Sequence, residues 1–195
     1  GGGITSGQVS IVLGELRFNN DNPSTYGVYT PNSFQKLNLT FSRNQQVIPN
    51  DLVLNISGAI QLANANLDSA EKIYLGGPYG VRAFPVAQAG GSQGGTLSME
   101  LQKQLPNRLV GSVFLDAGRV QQYVNQFPGS GAPNVYNLYA AGIGAKWNWD
   151  RLTLNGSMAW RLDDNPVRTA AGFNVDGRYP AAYVPYVWLQ LQYAL

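Results

Sequence analysis

Apolar and polar side chains alternate in about eight segments of the chain. This pattern predicts β-strands, because successive side chains of a strand point to opposite faces of the sheet. In residues 34–43, for example, Leu37, Leu39 and Phe41 fall on one face and polar side chains on the other. The predicted strands are residues 8–18, 34–43, 52–62, 97–102, 109–120, 136–148, 152–162 and 187–195.

The first predicted strand carries two apolar rows that compete for the same face of the sheet. We favour the row formed by Val12, Gly14, Leu16 and Phe18. The competing row, one residue out of step, is formed by Val9, Ile11 and Leu13. Periodicity alone leaves this choice open, because both rows have the period of two that a strand requires.

The connections between the predicted strands alternate between long and short. Long polar or Gly/Pro-rich loops are predicted at about 19–33, 63–95, 121–135 and 163–183, and short turns at Pro49, Pro106 and Asp150. Aromatic residues are predicted near strand ends, at Phe41, Tyr139, Trp147, Trp149, Trp160 and Tyr193. This arrangement is typical of an up-and-down membrane barrel, whose tilted strands cross the bilayer in about nine to eleven residues.

The predicted fold is therefore all-β, a transmembrane antiparallel up-and-down β-barrel of about eight strands, and we favour it over a soluble β-sandwich. Every backbone amide must be paired in hydrocarbon, so the strands have to form a closed barrel. Whether they close alone or form half of a larger barrel stays open. We expect residues 1–195 to be one barrel segment.

The composition narrows the function classes. Only 12% of the residues are charged, against roughly 25% in ordinary soluble domains, and the net charge is +2. Lys and Arg do not cluster along the sequence, so nothing in it points to a nucleic-acid partner. The chain has no cysteine and no histidine, which excludes Cys/His zinc sites, thiol catalysis and a Ser-His-Asp triad. We expect no enzyme activity and no cofactor.

Two further sequence features concern the membrane. No apolar run approaches the roughly 18 to 20 residues that a membrane helix needs, so a helical membrane protein is excluded. No signal peptide is evident, since the chain opens with Gly1, Gly2 and Gly3. We therefore expect a targeting segment to lie upstream.

An arginine lies within a Gly/Pro-rich stretch of the longest predicted loop, residues 76–85 (GGPYGVRAFP). Glycine and proline at this density break both helix and strand. Because Val81 and Phe84 flank Arg82, we expect the loop to pack against another part of the molecule. From the residues alone, a solvated Arg82 and a strand-end charge at Asp116 are favoured over a pair.

Residues 66–85 resemble the sixth extracellular loop of the two-partner-secretion transporters, the TpsB family of haemolysin-activator type, with its Val-Arg-Gly-aromatic motif. Residues 113–120 (VFLDAGRV) resemble the family's Phe-x-Asp-x-Gly motif. The final strand, ending at Tyr193 and Leu195, resembles an outer-membrane assembly signal, although Leu195 stands where a terminal aromatic is usual.

The resemblance implies a sixteen-stranded pore in the outer membrane of a Gram-negative bacterium, of which this chain is the C-terminal half. A plug helix and two periplasmic polypeptide-transport-associated domains would precede it. The implied function is secretion of a partner exoprotein, unfolded and β-helix-forming, without ATP. The implied partners are this substrate, outer-membrane lipid and the barrel-assembly machinery, and an isolated half is expected to dimerise or close.

The resemblance also implies a site, in which the loop folds into the lumen and Arg82 pairs with Asp116 as a tether rather than a catalyst. The predicted loop motif and tether comprise Gly77, Val81, Arg82, Ala83, Phe84, Pro85, Asp116 and Gly118. The family usually has glycine at the position of Ala83, where a positive φ would be strained. The candidate lumen-lining residues are Lys36, Glu100, Lys146 and Arg161.

Several alternatives stay open at this point. Within the same superfamily they are a barrel-assembly protein and the barrel anchor of a patatin-type lipase. Outside it, the alternative is a soluble β-sandwich carbohydrate-binding module. Asp163 and Asp164 could hold a cation, but a hydrated loop is the favoured interpretation of this pair.

Overall fold

The computed structural model describes residues 2–16, 30–130, 133–168, 175 and 184–194. Eight long strands form one sheet: β1 (Gly3–Glu15), β2 (Ser33–Ile48), β3 (Leu52–Ala63), β6 (Gln93–Leu105), β7 (Leu109–Gln121), β8 (Val135–Trp149), β9 (Leu152–Arg161) and β10 (Tyr186–Tyr193). Two short strands, β4 (Ile73–Tyr74) and β5 (Gly90–Gly91), pair within the long loop after a 3₁₀ turn (Ser69–Glu71).

The order of strands in the large sheet is β1-β2-β3-β6-β7-β8-β9-β10, and every neighbouring pair is antiparallel. Each long strand therefore pairs with the next long strand along the chain. Within the described residues the sheet is open, with β1 and β10 as its edges. This confirms the predicted all-β meander, and a single open sheet of this size fits part of a larger barrel rather than a two-sheet sandwich.

The two faces of the sheet differ in what covers them. Apolar side chains on the outer face are left exposed, as at Leu115 (57% exposed) and Leu189 (74%). On the opposite, inner face the long loop buries Phe114, Leu138 and Ala140. An apolar surface turned away from the packed interior is the arrangement expected of strands that face lipid.

The two apolar rows of β1 lie on opposite faces of the sheet, and the favoured row is the one that faces inward. Val9, Ile11 and Leu13 are the exposed row, whereas Val12 and Leu16 pack on the buried cluster of Phe34, Ala63 and Leu67. The inward-facing row of β1 therefore forms an apolar patch of its own, which is why both rows of this strand are apolar. Phe18 lies outside the described residues.

The strands extend slightly into the predicted loops. Ser33, Ala63, Gln121 and Val135 belong to strands, and β6 begins at Gln93. The short connections lie at residues 49–51, 106–108 and 150–151. Of the predicted loops 19–33 and 163–183, residues 19–29, 169–174 and 176–183 fall outside the described part. Among the described residues, no helix is long and apolar enough to cross a bilayer.

Candidate functional site

The motif loop is folded back on itself before it meets the sheet. The backbone N–H of Val81 donates to Leu75 O at 2.7 Å, and that of Gly77 donates to Phe84 O at 2.9 Å. Gly77 has a φ of +109°, a region that favours glycine. At Gly80 a Cβ would clash with Leu75 O, so only glycine fits this turn.

The folded loop is seated on the inner face of β7 and β8. Leu75, Val81, Ala83 and Phe84 are fully buried and belong to the same cluster as Val120, Leu138 and Ala159. At Gly118 a Cβ would come 2.9 Å from Val81 Cγ2 and 3.0 Å from Leu75 Cδ1. The glycine that follows Asp116 in the strand motif therefore makes room for the loop.

The Arg82 side chain binds Asp116 with two parallel hydrogen bonds. Nε donates to Oδ2 and Nη2 donates to Oδ1, both at 2.8 Å, and the Arg82 backbone N–H also donates to Oδ2 at 3.1 Å. Ser98 Oγ donates to Asp116 Oδ1 at 2.7 Å. Because the Asp116 side chain is only 1% exposed, this carboxylate has almost no contact with water and depends on these donors.

A second carboxylate joins the network. Arg82 Nη1 donates to Glu100 Oε2 at 2.6 Å, and Gln102 Nε2 donates to Glu100 Oε1 at 3.0 Å. Burial alone would lower the pKa of the Arg82 guanidinium, but its hydrogen bonds and charge interactions with Asp116 and Glu100 outweigh burial and raise that pKa. Arg82 is therefore held in its charged form.

The ring of Phe114 packs against the Arg82 guanidinium. The Arg82 Cζ lies 3.2 Å from the centroid of the Phe114 ring, a stacked cation–π contact. A Cβ at Gly142 would clash with Phe114 Cζ, so this glycine on β8 is what leaves space for the ring. The phenylalanine and the aspartate of the strand motif thus both contact the same arginine.

Two residues of the last strands bind the loop backbone beside Arg82. Arg161 Nε donates to Ala83 O at 3.1 Å, and its guanidinium lies 4.4 Å from the Phe84 ring centroid. Trp188 Nε1 donates to Arg82 O at 2.7 Å. Sequence reasoning missed Trp188, whose only signal was its place in the inner, otherwise polar row of the last strand.

The other predicted site residues lie as follows. Lys36 Nζ lies 2.8 Å from Glu71 Oε2 and ties β2 to the loop, whereas Lys146 is exposed on the inner row of β8. Ala83 is not among the described non-glycine residues with positive φ, so alanine fits there without strain. A Cβ at Gly76 would clash with the carbonyl oxygen of Pro85, so a larger residue does not fit at position 76.

The two predicted features at the end of the chain are only partly described. Tyr193 ends β10 and is exposed, and Leu195 lies outside the described residues. In the acidic pair, Asp163 Oδ1 accepts from the backbone N–H of Asp164 and Asp164 Oδ2 binds Arg168. No cluster of metal-ligating side chains occurs within the described ranges.

A polar cavity of about 320 Å³ lies between the motif loop and the inner face of the last strands. Arg82 lines its loop side, beside Glu100 of β6 and Trp188 of β10. Ser112, Asn155, Ser157 and Gln190 line the strand side. Uncharged hydrogen-bonding groups therefore predominate on the strand side of the cavity, next to the Arg82–Asp116 pair.

An antiparallel sheet with an exposed apolar outer face and a loop packed on its inner face is the arrangement of an outer-membrane β-barrel. The comparisons with known proteins agree. Residues 1–147 match the family model described as haemolysin secretion/activation protein ShlB/FhaC/HecB, and the chain belongs to this family. The family and outer-membrane location predicted from the sequence are confirmed.

Individual relatives support the same assignment. The heme/hemopexin transporter protein HuxB of Haemophilus influenzae is 32% identical over 127 residues, covering 62% of this chain and 22% of HuxB. The solved structure of CdiB from Escherichia coli matches 97% of this chain and 33% of its own, with TM-score 0.68 and 21% identity.

CdiB from Acinetobacter baumannii gives TM-score 0.53 and 19% identity, with 67% of this chain and 24% of that chain covered. The chain thus spans about a fifth to a third of the length of these relatives. The likeness to the two solved structures shows a shared barrel fold.

Proposed function

We propose that this chain forms the C-terminal half of the pore of a two-partner-secretion transporter. The pore would pass one partner exoprotein across the outer membrane in an extended, unfolded state, with no cofactor and no ATP. Membership of the haemolysin secretion/activation family supports this function. The chain itself would carry out no catalysis.

The observation that carries the proposal is the bidentate pair of Arg82 with the buried Asp116. The loop lies in the lumen, so only a loop that stays attached to the inner wall would leave the rest of the pore free for a passing chain. Removing one member of a buried ion pair leaves the other charge without its partner, at a cost of about 3 to 5 kcal/mol. We assign Arg82 and Asp116 the role of a tether that sets conduction.

The lumen wall would suit an extended polypeptide. Charged side chains at Lys36, Glu100 and Arg161 are engaged by the loop. Lys146 is exposed on the inner face, and the nearby cavity wall is largely uncharged. Serine, asparagine and glutamine side chains can exchange hydrogen bonds with a passing backbone without binding it through a fixed charge.

The remaining partners follow from the barrel itself. The outer face would contact membrane lipid, and the last strand with Tyr193 and Leu195 would be recognised by the barrel-assembly machinery. Because β1 and β10 are open edges within the described residues, the isolated half is expected to dimerise or to close on itself.

The test is the Arg82→Ala variant of the full transporter, with secretion of the cognate exoprotein measured against the amount of folded barrel. Heat-modifiable gel migration measures barrel assembly. We expect secretion to fall while assembly persists. Arg151→Ala, in the exposed turn before β9, is the matched control and should secrete normally. Unchanged secretion by Arg82→Ala would contradict the proposal.

A further inference from the structure

The side-chain network of Arg82 explains only part of how the loop is attached. Its partners Asp116, Ser98 and Glu100 all lie on β6 and β7, in the middle of the sheet. The contacts from Arg161 and Trp188 come from β9 and β10 and involve different atoms of the loop, the backbone carbonyls of residues 82 and 83.

We infer that Arg161 and Trp188 form a second anchor of the motif loop, which binds its backbone independently of the Arg82 side chain. Both hydrogen bonds end on consecutive carbonyl oxygens, Arg82 O and Ala83 O. Neither bond needs the guanidinium of residue 82. The second anchor would therefore persist in a variant that lacks the arginine side chain.

The surroundings of the two donors make the second anchor specific. The Arg161 guanidinium lies between two rings, with centroids 4.4 Å away for Phe84 and 5.8 Å away for Tyr186. The Trp188 ring stacks on Tyr186 at 6.2 Å. Tyr186 thus contacts both donors, which fixes their direction towards the loop.

The second anchor also attaches the loop to an edge of the sheet. Within the described residues β10 pairs with β9 alone, and at eight residues it is the shortest strand of the large sheet. Trp188, facing Ser157 of β9, gives this strand a direct contact with the loop. This contact would accordingly hold β10 in place as well as the loop.

Seating of the loop can be measured without secretion, because Val81 of the loop is fully buried against the sheet and the chain contains no cysteine. Val81→Cys, placed in the full-length transporter after any cysteine outside this chain has been replaced, would react with a small thiol reagent only when the loop leaves the inner face of the sheet. The readout reports how the loop is held, so its result stands apart from whether the pore secretes an exoprotein.

The decisive substitution is Trp188→Phe, which keeps an aromatic ring and removes the indole N–H. Added to Val81→Cys, the loss of one hydrogen bond is expected to raise the rate of thiol labelling roughly two- to tenfold. Trp160→Phe, the same change on the neighbouring strand β9, is the matched control. Trp160 precedes the inward-facing Arg161 in the strand and therefore lies on the outer face, away from the loop. It should label at the parent rate.

The second arm combines Trp188→Phe with Arg82→Ala. Two independent anchors predict that Arg82→Ala alone leaves the loop partly seated and that adding Trp188→Phe raises labelling again by a similar factor. The inference is overturned if Trp188→Phe labels no faster than Trp160→Phe. It is equally overturned if Arg82→Ala already labels as fast as the double variant.

Discussion

The strength of the proposed tether between Arg82 and Asp116 can be tested at Asp116. This carboxylate accepts four hydrogen bonds: from Arg82 N–H, Nε and Nη2 and from Ser98 Oγ. Asp116→Asn keeps the shape of the side chain but removes the charge and turns one acceptor into a donor. That donor would face the Arg82 N–H groups, and the buried guanidinium would lose its main counter-charge.

The expected magnitude follows from the burial of the pair. Breaking a buried ion pair costs about 3 to 5 kcal/mol. Because Glu100 still binds Arg82 Nη1 at 2.6 Å, we expect the lower end of that range. About 3 kcal/mol corresponds to a roughly 150-fold rise in the population of the released loop.

The assay is thiol labelling of Val81→Cys, together with single-channel conductance in planar bilayers. Glu100→Gln should have a much smaller effect, since Glu100 is more exposed and contacts only one nitrogen of Arg82. Asp51→Asn, which removes an exposed pair with Lys103, serves as the control. Labelling of Asp116→Asn at the control rate, or a larger effect from Glu100→Gln, would refute the reasoning.

Three further substitutions probe the packing. Gly118→Ala should displace the loop without altering any charge, because its Cβ would lie 2.9 Å from Val81 Cγ2. Thiol labelling of a cysteine at position 81 measures the displacement. Leu115→Arg should lower the yield of folded barrel, because a cation on the lipid face costs about 2 to 4 kcal/mol at the bilayer midplane. Heat-modifiable gel migration measures this yield. Lys36→Met should loosen the loop near Glu71, and limited proteolysis should cut there faster.

Each of these has a matched control or an outcome that counts against it. Gly111→Ala should be tolerated, because its Cβ would meet only the flexible end of Leu105, and equal labelling of the two alanine variants would contradict the close fit at Gly118. Lys103→Met, at an exposed pair, should leave the loop resistant to protease. Normal assembly of Leu115→Arg would mean that this face does not contact lipid.

Much of the fold was predictable because one face of each strand meets lipid and the other meets polar or loop groups. That contrast produces the alternation at Leu37, Leu39 and Phe41. It fails in β1, where Val12 packs inside while Ile11 faces outward, so two apolar rows leave no contrast to use. Phe41 was expected near a strand end but lies well inside β2, which runs from Ser33 to Ile48.

Contacts between side chains leave a trace in the sequence that contacts to the backbone do not. The resemblance paired Arg82 with Asp116. The register places Glu100 opposite Phe114 and Ser98 opposite Asp116, so Glu100 is a neighbour on the same face that a cross-strand argument could have found. Trp188 binds a backbone carbonyl, and such a contact leaves no pattern of residue types in the sequence.

The central claim, that Arg82 and Asp116 act as one tether, is tested most directly by a double-mutant cycle on exoprotein secretion. The four proteins are the wild type, Arg82→Ala, Asp116→Ala and the double variant, with secretion normalised to folded barrel. We predict that the double variant secretes no less than either single variant, because each single change leaves a buried charge without its partner. Independent, additive losses would contradict the account.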